Sequence, residues 1–190
     1  MSVGHSSHYP TLSDPLPTGY TRSMILYHEV AKDSVEKILA DGLKRTSRGD
    51  KGDQTDIIQT DAYLDDHRPD AVRKQGVSRD DNLYAFVGTD YSLIDITNGA
   101  TVPLTDYPND GSVLLRIAVD EVACHVSDLD RYDAVKAAIA NHETATLAEL
   151  ADTYWTSLTP LRDFKIGDIL RPEVMITTDI PPRQITLVQS

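Results

Sequence analysis

The run Met24-Ile25-Leu26-Tyr27-His28-Glu29-Val30 passes without a break into a stretch, 31–43, whose apolar residues recur at helical spacing. A short apolar strand that ends in a histidine and turns at once into a helix leaves few ways to begin a fold. Asp33, with Glu36 three residues on, has the spacing of a capping box and sets the expected helix start. Val35, Ile38, Leu39 and Leu43 give that helix one buried face. Gly42 stands where a glycine lets the chain leave a helix. The strand-to-helix junction is expected to hold His28 beside a cleft rather than inside a core.

Further along, 57–75 reads as partly helical through Ile57, Ile58, Ala62 and Leu64, with a break at Pro69. Ser78-Arg79-Asp80-Asp81-Asn82 is a turn, and Leu83-Tyr84-Ala85-Phe86-Val87-Gly88 a short strand. The segment 91–96 fits helix or strand, and 97–111 is loop with a short strand near Val102. The clearest buried strand is 112–119. Two amphipathic helices follow: 129–142, and a second started by Thr146 with Glu149 at the capping-box position. Pro160 ends the second, and strands at 173–177 and 184–188 close the chain. This order predicts a single α+β domain over 20–190, with a mixed, mostly antiparallel split sheet flanked by helices. Residues 1–19, rich in proline and serine, are expected to be a flexible arm.

Composition bounds the function. The 190 residues suit one core, and 40 % hydrophobic with 25 % charged residues is globular material. A net charge of −12 argues against broad, charge-driven nucleic-acid binding, leaving 44–51 as the one local basic stretch. No apolar run approaches a membrane span, 1–19 lacks the pattern of a signal peptide, and Cys124 is the single cysteine. These features lead us to expect a cytoplasmic, acidic protein with no membrane partner. His5 and His8 have no acid or cysteine cluster beside them, and no metal site is expected.

Nucleophile elbow, phosphate-binding glycine loop, dinucleotide fingerprint and paired-cysteine zinc site are all missing. What remains is a looser constellation: His28 closing the first strand, Arg79 and Tyr84 around the central one, and Glu173 opening a late strand after a proline. Each has a plain structural reading beside the functional one. Arg79 would cap a turn or pair with Asp80 or Asp81; Tyr84 and Tyr91 would be core; Glu173 would be a solvated strand start.

Tyr27-His28 at a strand end, followed by a helix finishing in Ile38-Leu39-Ala40-Asp41-Gly42-Leu43, resembles the N-terminal signature of the ADP-ribosyltransferase fold. Pro172-Glu173-Val174-Met175-Ile176, then Asp179-Ile180-Pro181-Pro182-Arg183-Gln184-Ile185, is similar to that family's last motif. The fold includes RNA 2′-phosphotransferases, DNA-modifying toxin transferases and poly-ADP-ribose polymerases. The resemblance implies an NAD-dependent glycosyltransferase that moves ADP-ribose to a protein or nucleic-acid acceptor. It also leaves open RNA 2′-phosphate transfer, or a catalytically silent binding module. Under it Glu173 is the catalytic carboxylate, His28 fixes the dinucleotide, Tyr84 or Tyr91 stacks on nicotinamide, and Arg48 or Arg79 meets the pyrophosphate.

Overall fold

The computed structural model describes residues 24–46, 55–107 and 110–188. The expected arm 1–19, the segment holding Arg48, and Pro108 lie outside the described residues. Nine strands are described: β1 (Ile25–Ala31), β2 (Leu83–Gly88), β3 (Ser92–Ile94), β4 (Thr101–Pro103), β5 (Ser112–Ile117), β6 (Cys124–Asp128), β7 (Thr159–Pro160), β8 (Pro172–Ile176) and β9 (Ile185–Leu187). The helices are α1 (Val35–Asp41), α2 (Thr55–Asp66), α3 (Asp70–Arg73), α4 (Leu129–Ala140) and α5 (Thr144–Thr156). The strands form one sheet in the order β7-β6-β8-β2-β1-β5-β9, with β3 pairing β2 and β4. Every pairing between these strands is antiparallel, so the parallel component expected of a mixed sheet is not found among them.

Alternation along the strands sorts the side chains into layers. Leu26, Ala85, Val87, Leu115, Val174 and Ile176 fall in one cluster, with Leu161 and Phe164 against them. Met175, between Val174 and Ile176 in the chain, joins Leu64, Val135, Ala151, Tyr154 and Trp155 from α2, α4 and α5. A smaller cluster holds Tyr27, Leu93 and Leu114. The indole N–H of Trp155 donates to the Leu64 carbonyl at 2.8 Å, tying α5 to α2. None of the described helices is long and apolar enough to cross a membrane.

Two expected helix starts are corrected. β1 runs on to Ala31 because its pairing with β5 continues to Ala31↔Ser112, so Asp33 falls in a 3-10 turn and caps nothing. The helix begins at Val35 with no side-chain cap. Likewise α5 starts at Thr144, two residues before Thr146, again without a side-chain cap. At α4 the cap is real: Asp128 Oδ1 accepts from the Asp130 N–H at 3.0 Å. The strand β6 has no apolar pattern of its own and is unforeseen; its burial comes from lying between β7 and β8.

Gly42 ends α1 as expected, with φ of +84° and its N–H on the Ile38 carbonyl at 2.8 Å. A Cβ there would stand 2.3 Å from the Ile180 carbonyl oxygen, because Leu43 and Ile180 form a bridge beside it. Gly42→Ala should therefore lower stability by about 1–3 kcal/mol in denaturant unfolding. Burial lowers the pKa of His125, which sits in β6 with only 6 % of its surface exposed. The folded state thus holds this imidazole neutral, and the unfolded chain takes up the proton first. Its contribution is complete above the ordinary value of 6.5 and declines as the pH falls through it. Midpoints measured from pH 7.5 to about 5.5 should fall, and His125→Leu should flatten that decline.

Candidate functional site

The central cleft arises where two neighbouring strands separate. β1 and β2 pair at Ile25↔Gly88, Leu26↔Val87 and Tyr27↔Phe86, and no further. Beyond that point β1 stays with β5, and the first half of β2 stays with β8. His28 reaches across the gap: its Nδ1 lies 2.6 Å from the Tyr84 carbonyl oxygen. A carbonyl only accepts, so Nδ1 carries the proton. The histidine does not end the strand, as expected, but sits inside β1, one residue past the last β1–β2 pair.

A cleft of about 630 Å³ occupies this gap, within the range of small-molecule sites. His28 and Glu29 of β1, Tyr84 and Phe86 of β2, Ser112 of β5 and Glu173 of β8 are among its walls. The structure therefore brings together three of the residues singled out in sequence: His28, Tyr84 and Glu173. Glu173 is not the solvated strand start of the plain reading. It lies opposite Phe86 on one side and Ser127 on the other, with 7 % of its surface exposed.

Arg79 stands elsewhere than expected. It is 1 % exposed and turned inward. One amino group donates to Glu173 Oε2 at 2.5 Å and to the Tyr154 hydroxyl at 3.1 Å, while Nε donates to Asp61 Oδ1 at 3.1 Å. Its guanidinium carbon lies 4.4 Å from the ring centre of Tyr132 and 4.7 Å from that of Tyr84. The backbone is held as well: the Arg79 N–H donates to Asp65 Oδ1 at 2.9 Å, and its carbonyl accepts from the Tyr84 hydroxyl. Burial by itself lowers the guanidinium's pKa. Glu173, then Tyr154, Tyr84 and Asp61, outweigh that and hold it well above the ordinary arginine value. Burial likewise pushes the Tyr154 hydroxyl up to about 12, so it meets Arg79 as a neutral phenol.

Asp61 is the charged member of this cluster that sequence reading missed. Thr60, Asp61 and Leu64 are the buried residues of α2, so Asp61 occupies a core-facing position three residues before Leu64. A lone carboxylate on an apolar helical face was the available signal. Glu29 was missed too; it accepts from the Tyr107 hydroxyl at 2.9 Å and from the Ser112 hydroxyl. With Asp110 it makes the cleft acidic, and no lysine or arginine stands among the described walls. Tyr91 is 84 % exposed and is not among those walls. Arg48 lies outside the described residues. Of the basic stretch 44–51, Lys44 pairs with Asp179 at 3.2 Å and Arg45 with Asp81 at 3.6 Å, both near the surface. No group of three or more histidine, cysteine, aspartate or glutamate side chains among the described residues is arranged to hold a metal ion.

The buried cluster sets a stability expectation. Arg79→Met removes the cation between two buried carboxylates and should cost roughly 3–5 kcal/mol. Tyr91→Ala, at an exposed turn, should stay within about 0.5 kcal/mol by the same denaturant titration. Comparison of the chain with models of protein families, with curated proteins and with solved structures finds no match.

Proposed function

We propose that this chain is an NAD-dependent ADP-ribosyltransferase, transferring ADP-ribose to a macromolecular acceptor, protein or nucleic acid, with release of nicotinamide. The observation that carries the reading is that His28 and Glu173, far apart in sequence, line one cleft. Both are residues that the resemblance in sequence singles out. The chemistry of the walls suits the nicotinamide-ribose half of NAD. Cleaving the glycosidic bond sends its electron pair to nicotinamide and leaves positive charge on the ribose. A carboxylate fixed at that place stabilises the charge, and Glu173 takes this role. The acceptor's nucleophile then bonds to the anomeric carbon and releases its proton to solvent. His28 hydrogen-bonds the ribose or adenosine side, and Tyr84 supplies the aromatic wall beside the cationic ring.

A second reading has one observation in its favour. Oε2 of Glu173 is already bonded to Arg79, as in a silent module that uses the cleft to hold a ligand without reacting it. Nicotinamide release separates the two. The wild-type chain incubated with NAD should liberate nicotinamide, and Glu173→Gln should lower the rate by about 100-fold or more. Glutamine keeps a hydrogen-bonding group beside Arg79, so a circular dichroism spectrum like the wild type's should accompany the loss. Equal release from both proteins would remove the carboxylate from the mechanism. NAD binding without release from either would favour the silent module.

A further inference from the structure

We infer that Arg79, anchored by Asp61, is the positioning residue of the cleft: it sets where the Glu173 carboxylate stands relative to His28. The inference rests on reading Glu173 as the catalytic carboxylate. β8 is paired on both sides, which fixes the Glu173 backbone between Phe86 and Ser127. The side chain keeps rotatable bonds of its own, and the bond from Arg79 is what holds its end. That bond directs only because Arg79 is itself immobile. Its planar fork is held by a bond from Nε to Asp61 and one from an amino group to the Tyr154 hydroxyl, with the rings of Tyr84 and Tyr132 close to its guanidinium carbon.

Tyr84 extends the frame to the other wall. Its carbonyl accepts from His28 and its hydroxyl donates to the Arg79 carbonyl. A continuous path, His28 to Tyr84 to Arg79 to Glu173, therefore joins the imidazole and the carboxylate that both line the cleft. Stability alone is a poor reason for such a cluster, since well-packed apolar side chains of like volume often serve a core as well or better. Fixing direction is what a buried guanidinium fork does well. Asp61 has a second effect: when a substrate hydroxyl competes for Glu173, Arg79 keeps a carboxylate partner. At 1 % exposure Arg79 touches no substrate, so it acts through Glu173.

The test uses the full chain, NAD and steady-state nicotinamide release, with circular dichroism and thermal midpoints alongside. Asp61→Asn lies outside the cleft walls and should lower kcat by about 10–100-fold while the KM for NAD stays within about twofold. Arg79→Lys keeps the charge but not the fork, and should recover only part of the activity that Arg79→Met loses. Should Asp61→Asn fail to fold, Tyr84→Phe carries the same test. It removes the hydroxyl that holds the Arg79 backbone and keeps the ring and the carbonyl, and a fall in kcat at constant KM is again expected. Folded variants with lowered midpoints but wild-type kcat would overturn the positioning role and leave the proposed function standing. A wild-type chain that releases no nicotinamide would overturn the proposed function, and the positioning role with it.

Discussion

A guanidinium buried almost completely in a protein demands anions and donors around it, and here the demand is met from across the chain. Asp61 comes from α2, Tyr84 from β2, Tyr132 from α4, Tyr154 from α5 and Glu173 from β8. The helical layer and the sheet meet on this one cation. Asp65, one helical turn after Asp61, accepts from Ser78, Arg79 and Asp80 and so shapes the turn that carries the arginine inward. Losing the cation would leave two carboxylates uncompensated away from water, a far larger penalty than the net worth of either pair.

The cleft depends on a different constraint, the obligation of backbone groups to find partners. β1 keeps its pairing with β5 and the first half of β2 its pairing with β8, while after Tyr27↔Phe86 β1 and β2 part. Across the opening, His28 donates to the Tyr84 carbonyl from the facing strand. The same separation admits Glu29 and Glu173 to one space, with hydroxyls of Tyr107 and Ser112 steadying Glu29. A polar recess inside a sheet is in this way a by-product of pairing geometry. What makes it chemically interesting is that the side chains bordering it are an imidazole, carboxylates and aromatic rings.

Legibility in the sequence varied by element for identifiable reasons. β2 was readable to the residue because a turn bounds it on one side and Gly88 on the other. α4 was readable because Leu129, Tyr132, Val135 and Ala138 bury one helical face. β6, Cys-His-Val-Ser-Asp, was not, since its burial comes from neighbours at both edges rather than from its own pattern. The two capping boxes matched in spacing but not in structure, because pairing of β1 with β5 and the early start of α5 shifted the helix ends. Of the candidate site residues, His28, Tyr84 and Glu173 line the cleft, whereas Tyr91 faces solvent and Arg79 is enclosed.

The sequence by itself determined an α+β chain with strands at β1, β2, β5, β8 and β9, the glycine exit from α1, and a histidine and a glutamate carried on strands. Those properties follow from local periodicity and backbone preference, which act within a few residues. Only the tertiary structure decided that Arg79 faces Asp61 and Glu173 rather than its neighbours Asp80 and Asp81. It likewise decided that β8 lies between β2 and β6, so that Glu173 and His28 border the same gap. A buried charge is matched to whatever the fold brings within hydrogen-bonding distance, and that proximity is a property of the packed sheet, with no counterpart in the spacing of residues along the chain.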